Sequence, residues 1–198
     1  MNIEYEATFY PIDKDEIRKK LRLLNAQLIK PEFLQKRVVF DLPKGHELKG
    51  GWLRIRDEGE KTTLSLKVVD GNTIENQKEI CLTINDQQQG EKLLICLGCR
   101  KKAYQENRRE IWKLGNAEIC IDEWPFLEPF LEIEGPSEKD IKAAAHLLSL
   151  DYGQALFCSV DHLYFKKYGV KEDIVNDRTP KITFDMKNPF IKKNIYVI

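Results

Sequence analysis

The sequence predicts a β-rich α+β fold, in which eight strands form a closed antiparallel β-barrel with helices packed on the outside. Eight segments alternate apolar and polar side chains, which is the period of a strand. Most of their connections are short, which favours antiparallel pairing. Charged residues collect on one face of these strands and apolar residues on the other. Closure of such a sheet would turn the charged face into a lumen.

The first predicted strand covers residues 3–10, where every second residue is apolar. Asp13 and Glu16 then resemble the capping box that begins a helix. Apolar residues follow at helical spacing, and we expect them to form the buried stripe of this helix: Ile17, Leu21, Leu24 and Leu28.

Seven further strands are predicted at residues 33–42, 51–57, 62–69, 77–84, 104–114, 117–123 and 129–134. Helices are expected from about Asp86 to Leu97, after Ser137 and from Ser159. Beyond Gly169 the periodicity is lost, although apolar residues remain frequent. We therefore predict one domain at residues 1–168 and a C-terminal tail at residues 169–198.

The charge balance excludes several classes of partner. The 198 residues contain 32 basic and 32 acidic side chains, so no overall field favours nucleic acid or an anionic membrane. No apolar run approaches the ~20 residues of a membrane span, and no secretory signal is evident. Five cysteines, an odd number in apolar surroundings, fit a reducing compartment. We expect a cytoplasmic protein without nucleic-acid or membrane partners, and a homodimer stays open.

The charged face separates acids from bases. Alternation alone would fit an ordinary antiparallel sheet with one face in water. However, the acids concentrate on the first and the last two strands and the bases on the third, fourth and sixth, whereas a solvated face usually mixes both signs. This segregation favours a binding function for the following residues: Glu4, Glu6, Arg54, Arg56, Lys67, Glu79, Arg109, Asp122, Glu132 and Glu134.

The spacing of these residues indicates what they could bind. Glu4 and Glu6 would hold two carboxylates roughly 7 Å apart on one strand, within reach of a neighbouring strand. Carboxylates this close repel each other unless a cation is present, and oxygen ligands suit a hard divalent metal ion. Arg54 and Arg56 offer planar forks that match phosphate oxygens. The pattern therefore favours a metal ion and a phosphate on the same face.

At these residues the chain resembles the CYTH domain family, also called the triphosphate tunnel fold. The start Glu4-Tyr5-Glu6-Ala7-Thr8-Phe9 resembles the family's ExExK signature. Further motifs recur in the family's order across residues 1–168: Val38-Val39-Phe40-Asp41-Leu42-Pro43, Trp52-Leu53-Arg54-Ile55-Arg56, Leu64-Ser65-Leu66-Lys67, Lys78-Glu79-Ile80, Arg108-Arg109-Glu110-Ile111-Trp112, Ile121-Asp122 and Phe130-Leu131-Glu132-Ile133-Glu134-Gly135.

The resemblance implies an eight-stranded tunnel in which carboxylates hold one or two Mg²⁺ or Mn²⁺ ions and bases bind a triphosphate. By position, the implied metal ligands are Glu4, Glu6, Asp122, Glu132 and Glu134. The implied phosphate ligands are Arg54, Arg56, Lys67 and Arg109. Glu79 would lie among them, and it joins Glu4 and Glu6 as an expected catalytic residue.

Three functions stay open within this resemblance. The first is hydrolysis of a nucleoside, thiamine or inorganic triphosphate, which we favour because the sequence shows no base-recognition pocket. The second is a class IV adenylate cyclase that makes cyclic AMP and pyrophosphate. The third is a non-catalytic sensor of polyphosphate or nucleotide, because Thr8 stands where the signature has lysine. We expect Thr8 to face the lumen and to leave room for water.

Overall fold

The computed structural model describes residues 1–191. In chain order the elements are β1 (Asn2–Ile3), β2 (Tyr5–Phe9), α1 (Lys14–Leu23), β3 (Gln27–Asp41), β4 (Gly51–Asp57), β5 (Thr62–Val69), β6 (Gln77–Ile84), α2 (Gln87–Cys96), β7 (Arg100–Leu114), β8 (Ala117–Glu123), β9 (Phe130–Gly135), α3 (Glu138–Leu147), α4 (Val160–Tyr168), α5 (Glu172–Asn176) and β10 (Lys181–Ile182). No helix in this part of the chain is both long and apolar enough to span a membrane.

The strands form a nearly closed antiparallel barrel. Their order is β1-β6-β5-β4-β3-β7-β8-β9-β2, and each neighbour along this path is antiparallel. The N-terminal segment closes the barrel, because Asn2 pairs with Glu79 on β6 while Glu6 pairs with Glu134 on β9. Counted as one strand, this segment gives the eight strands that the sequence predicts. The predicted fold class is therefore confirmed.

Apolar side chains on the outer face of the barrel pack under two of the helices. Ala7, Ile119 and Ile133 are fully buried and share one core with Ile141 of α3 and Leu21 of α1. Burial of such side chains is the main stabilising contribution of this layer. The helices do not cover the whole outer face, since Ile80 and Leu82 on β6 are exposed.

Helix α1 is shorter than the sequence predicts. The Asp13 carboxylate accepts hydrogen bonds from the backbone N–H groups of Asp15 and Glu16, as an N-cap should. The helix ends at Leu23, and Asn25 has a φ of 55°, a left-handed conformation that reverses the chain direction. Leu28 is therefore not part of the helical stripe; it lies in β3 and is exposed.

Residues 169–191, part of the predicted tail, pack against the barrel. Strand β10 pairs in parallel with Tyr104 and Gln105 of β7. This part of β7 has a free edge because β8 pairs with β7 only from Arg108 onward. Ile182 is fully buried in a second core that includes Trp124 and Tyr164. The boundary at residue 168 stays a prediction, but within residues 169–191 strand β10 adds to the barrel sheet. Residues 192–198 of the predicted tail lie outside the described range.

The packing of this segment gives a test of its contribution to stability. We expect Ile182→Ala to lower the free energy of unfolding by about 2–5 kcal/mol, because it leaves a cavity in a closed core. Ile191→Ala is the matched control, since Ile191 is 64% exposed whereas Ile182 is 0% exposed. The control should change stability by less than about 0.5 kcal/mol. Urea unfolding measures both; equal values would mean that this segment does not belong to the core.

Candidate functional site

A cavity of about 1090 Å³ occupies the interior of the barrel. Strand alternation directs one set of side chains into it from every long strand. Nine of the ten residues predicted from the sequence line this cavity: Glu4, Glu6, Arg54, Arg56, Lys67, Glu79, Arg109, Glu132 and Glu134. The tenth, Asp122, is fully buried and does not line the cavity.

Three of the carboxylates form a cluster that could hold a metal ion. One carboxylate oxygen of each of Glu4, Glu6 and Glu134 lies within 4.8 Å of the others. Glu6 and Glu134 are directly opposite each other on β2 and β9. Glu4 lies two residues before Glu6 in the sequence. This all-oxygen donor set suits Mg²⁺ or Mn²⁺. We call these three residues the carboxylate cluster.

The electrostatics of the carboxylate cluster are unfavourable without a cation. Burial raises the pKa of Glu6 well above its ordinary value, and the neighbouring Glu132 adds to the shift. Burial and Glu79 raise the pKa of Glu4 to about 7, although Lys67 opposes the shift. Burial and Glu118 also raise the pKa of Glu134. A bound divalent cation would offset these repulsions directly.

Asp122 and Glu132 depart from the predicted set of five metal ligands. The Arg109 Nε donates to Asp122 Oδ1 at 3.0 Å, and its Nη2 donates to Glu132. Asn107 donates to the same Asp122 oxygen at 2.7 Å. Burial raises the pKa of Asp122 to about 6 despite Arg109. Arg109 thus pairs with both of these acids, and the other three of the five carboxylates form the cluster.

The other predicted bases are also paired with carboxylates. Lys67 Nζ lies 2.8 Å from Glu4, and Arg54 Nη2 lies 3.2 Å from Glu79. The Arg56 Nε donates to Glu58 at 2.8 Å. Burial favours the neutral form of Glu79, but Lys67 and Arg54 outweigh it and hold its pKa at about 2. Glu79 is therefore an ionised partner of two bases and a poor proton acceptor.

Sequence analysis missed several residues that line the cavity. Arg37 lies on β3, and Glu118 faces Glu134 across β8 and β9. Both follow the alternation of their strands, which could have identified them. Residues 155–162 also line the cavity, but they reach it through the tertiary fold, which a local sequence pattern does not show. Glu58, the partner of Arg56, is a further buried acid at one end of β4.

Thr8 does not open into the cavity as the sequence suggests. It shares its strand face with Glu6 and pairs with Glu132, but it is only 4% exposed and is absent from the cavity lining. The backbones of Thr8 and Leu156 exchange two hydrogen bonds of 2.9 Å, so the segment at Leu156 covers this position. The prediction of a water-filled space beside Thr8 is therefore wrong.

The model of the CYTH domain matches residues 2–162. The chain belongs to the CYTH family. No curated protein sequence matches this CYTH chain significantly.

Solved structures share the fold of this CYTH domain at low sequence identity. A candidate adenylate cyclase from Vibrio parahaemolyticus has a TM-score of 0.71 at 14% identity, covering 82% of this chain and 97% of its own. A conserved hypothetical protein from Pyrococcus furiosus has a TM-score of 0.67 at 21% identity, covering 81% and 99%. A candidate adenylyl cyclase from Hippeastrum, described as having a dominant triphosphatase activity, has a TM-score of 0.58 at 16% identity, covering 86% and 97%. These likenesses support the fold alone.

Proposed function

We propose that this CYTH protein binds a small-molecule triphosphate through Mg²⁺ or Mn²⁺ and hydrolyses one of its phosphoanhydride bonds. One observation carries the proposal: the carboxylate cluster and the bases Lys67, Arg54 and Arg56 line the same cavity. A metal ion neutralises the first set, and phosphate oxygens neutralise the second. A metal–triphosphate complex supplies both charges in one ligand.

Different residues of the cavity would bind the metal ion, bind the phosphates and orient the bases. Glu4, Glu6 and Glu134 would hold the metal ion, which supplies charge neutralisation and an activated water when bound. Arg54 and Arg56 would donate hydrogen bonds to phosphoryl oxygens, where charge develops during hydrolysis. Glu79, with its low pKa, would orient Arg54 and Lys67 rather than accept a proton. Asp122 and Glu132 would hold Arg109, an expected phosphate ligand, in place at the cavity wall.

Specific observations keep two alternatives within the proposal. Apolar side chains of Trp124, Leu156 and Phe157 line part of the cavity and could receive a nucleobase, as an adenylate cyclase requires. Thr8 supplies no cation at the signature position, which would fit a sensor that binds without turnover. All three functions use the same polyphosphate-binding lumen.

We also place the protein in the cytoplasm. All five cysteines are free thiols, and Cys81 and Cys96 are exposed. Free exposed thiols suit a reducing compartment.

Product analysis by ³¹P NMR tests the hydrolase function. Tripolyphosphate, thiamine triphosphate and ATP would each be incubated with the protein and with Mg²⁺ or Mn²⁺. We expect release of phosphate from at least one of them, and no release in the presence of EDTA. Pyrophosphate together with cyclic AMP would instead establish the cyclase. Binding of a triphosphate without any new resonance would establish the sensor.

A further inference from the structure

Arg37 is a buried base that makes no direct ion pair with any carboxylate in residues 1–191. It lies on β3, is 6% exposed and contributes to the cavity lining. Its Nη2 donates to the side-chain oxygens of Gln35, at 3.3 Å, and Asn107, which are both neutral amides. Within residues 1–191 no carboxylate lies within ion-pair distance of Arg37, and its Nε has no hydrogen-bond partner.

The other bases of the cavity differ in this respect. Arg54, Arg56, Lys67 and Arg109 each contact at least one carboxylate. Burial lowers the pKa of Arg37 well below the ordinary value, and the positive charges of Arg54, Arg56 and Arg109 add to this shift, although Asp122 opposes it. An isolated buried charge is costly, so a buried arginine without a counter-ion points to an anion that binds there.

Further hydrogen-bond donors without partners surround Arg37. Gln35 Nε2, Arg54 Nε and Thr63 Oγ1 are buried and unpaired within the described chain. Arg37 lies opposite Arg56 on β4, and Arg56 lies opposite Thr63 on β5, so one row of side chains crosses three strands spaced about 4.8 Å apart. The ring of Trp124, 4.6 Å from the Arg37 Cζ, supports the guanidinium from one side.

We infer that Arg37, with Gln35, forms an additional oxyanion subsite that takes one phosphoryl group of the triphosphate. The inference rests on the proposed function, and it assigns a substrate contact to a strand that sequence reasoning left without one. Several unpaired donors on neighbouring strands suit a group with several acceptor oxygens, and a phosphoryl group offers them in a compact tetrahedral array. Arg37 thereby supplies a positive charge that Thr8 does not.

Calorimetric titration with tripolyphosphate, at saturating Mn²⁺, tests the subsite. We expect Arg37→Met to weaken tripolyphosphate binding about tenfold or more, and to change Mn²⁺ affinity less than about twofold. Arg37→Lys should recover part of the loss, because it keeps the charge but not the planar fork. Lys36→Met is the matched control, because Lys36 is the adjacent residue, is exposed and points to the opposite face of β3. This variant should bind tripolyphosphate with the same affinity as the unaltered protein.

Thermal melting of the free protein separates a binding role from a structural one. A binding role predicts that Arg37→Met melts at the same or a higher temperature, since the variant removes an unpaired buried charge. A lower melting temperature with unchanged tripolyphosphate affinity would show that Arg37 only packs on Trp124, and would overturn the inference. If Arg37→Met does not fold, Arg37→Lys and Gln35→Leu decide, and unchanged affinity in both defeats the subsite. Absence of binding of tripolyphosphate, thiamine triphosphate and ATP alike by the unaltered protein would instead defeat the proposed function.

Discussion

Replacing Glu6 or Glu134 with glutamine is expected to weaken Mn²⁺ binding by about a hundredfold or more. Each change removes one of the three carboxylates that lie within 4.8 Å of each other. Loss of residues that merely orient metal ligands already costs about 10–100-fold, so loss of a ligand should cost at least as much. Titration calorimetry with Mn²⁺ measures the change. Glu60→Gln is the control, because Glu60 is exposed outside the cavity; equal affinities in all variants would exclude the carboxylate cluster as the metal site.

The same variants should stabilise the metal-free protein at alkaline pH. The pKa of Glu6 is raised in the folded state, so its contribution to stability is present below the ordinary pKa of 4.5 and is lost as pH rises through the folded value. Glu4 adds a similar loss between pH 4.5 and about 7. We therefore expect Glu6→Gln to melt at a higher temperature than the unaltered protein at pH 8. This difference in melting temperature should be smaller at pH 5. A decrease at both pH values would show that Glu6 is not under electrostatic strain.

Replacing Arg109 with methionine is expected to give the largest loss of stability among the cavity variants. Arg109 bonds both Asp122 and Glu132, and its removal leaves two buried carboxylates without their cation. Breaking a buried pair from one side typically costs about 3–5 kcal/mol. The loss should be smaller at pH 5 than at pH 8, because Asp122, whose pKa is about 6 even beside Arg109, can then become protonated. Urea unfolding at the two pH values measures this difference.

Two further variants test the cause of the stability loss expected for Arg109→Met. Arg108→Met alters the neighbouring residue, which points outward and is paired with Glu123 at the surface, and it should cost at most about 1 kcal/mol. Asp122→Asn combined with Arg109→Met should recover part of the lost stability, because it removes one of the two carboxylate charges that Arg109→Met leaves without a partner. A double variant no more stable than Arg109→Met would mean that Arg109 stabilises the barrel through packing rather than through these carboxylates.

Strand alternation explains why so much of the site could be predicted from the sequence. In an antiparallel barrel, parity alone assigns a residue to the lumen or to the outside. Glu4, Arg54 and Lys67 therefore reach one cavity although they are far apart in sequence. The same rule also places Arg37 and Glu118, which the sequence analysis overlooked although both follow the alternation of their strands.

The features that could not be predicted depend on contacts between distant segments. Parity places Asp122 on the lumen face, but only the register of β7 and β8 shows that Arg109 lies directly opposite and covers it. The pairing of Leu156 with Thr8 is a single bridge without a strand pattern around it. Helix α5 and strand β10 have five and two residues, too few for a period to be visible, and tertiary packing specifies them.

The barrel is proposed to bind a triphosphate together with a divalent metal ion in one charged cavity. Titration calorimetry with tripolyphosphate, performed on the unaltered protein and on Glu6→Gln with either Mn²⁺ or EDTA, tests it most directly. We predict saturable binding at one site per chain with Mn²⁺, at least about tenfold weaker binding in EDTA, and the same weak binding by Glu6→Gln under both conditions. Absence of binding by the unaltered protein, or equal affinity in all four titrations, would contradict the account.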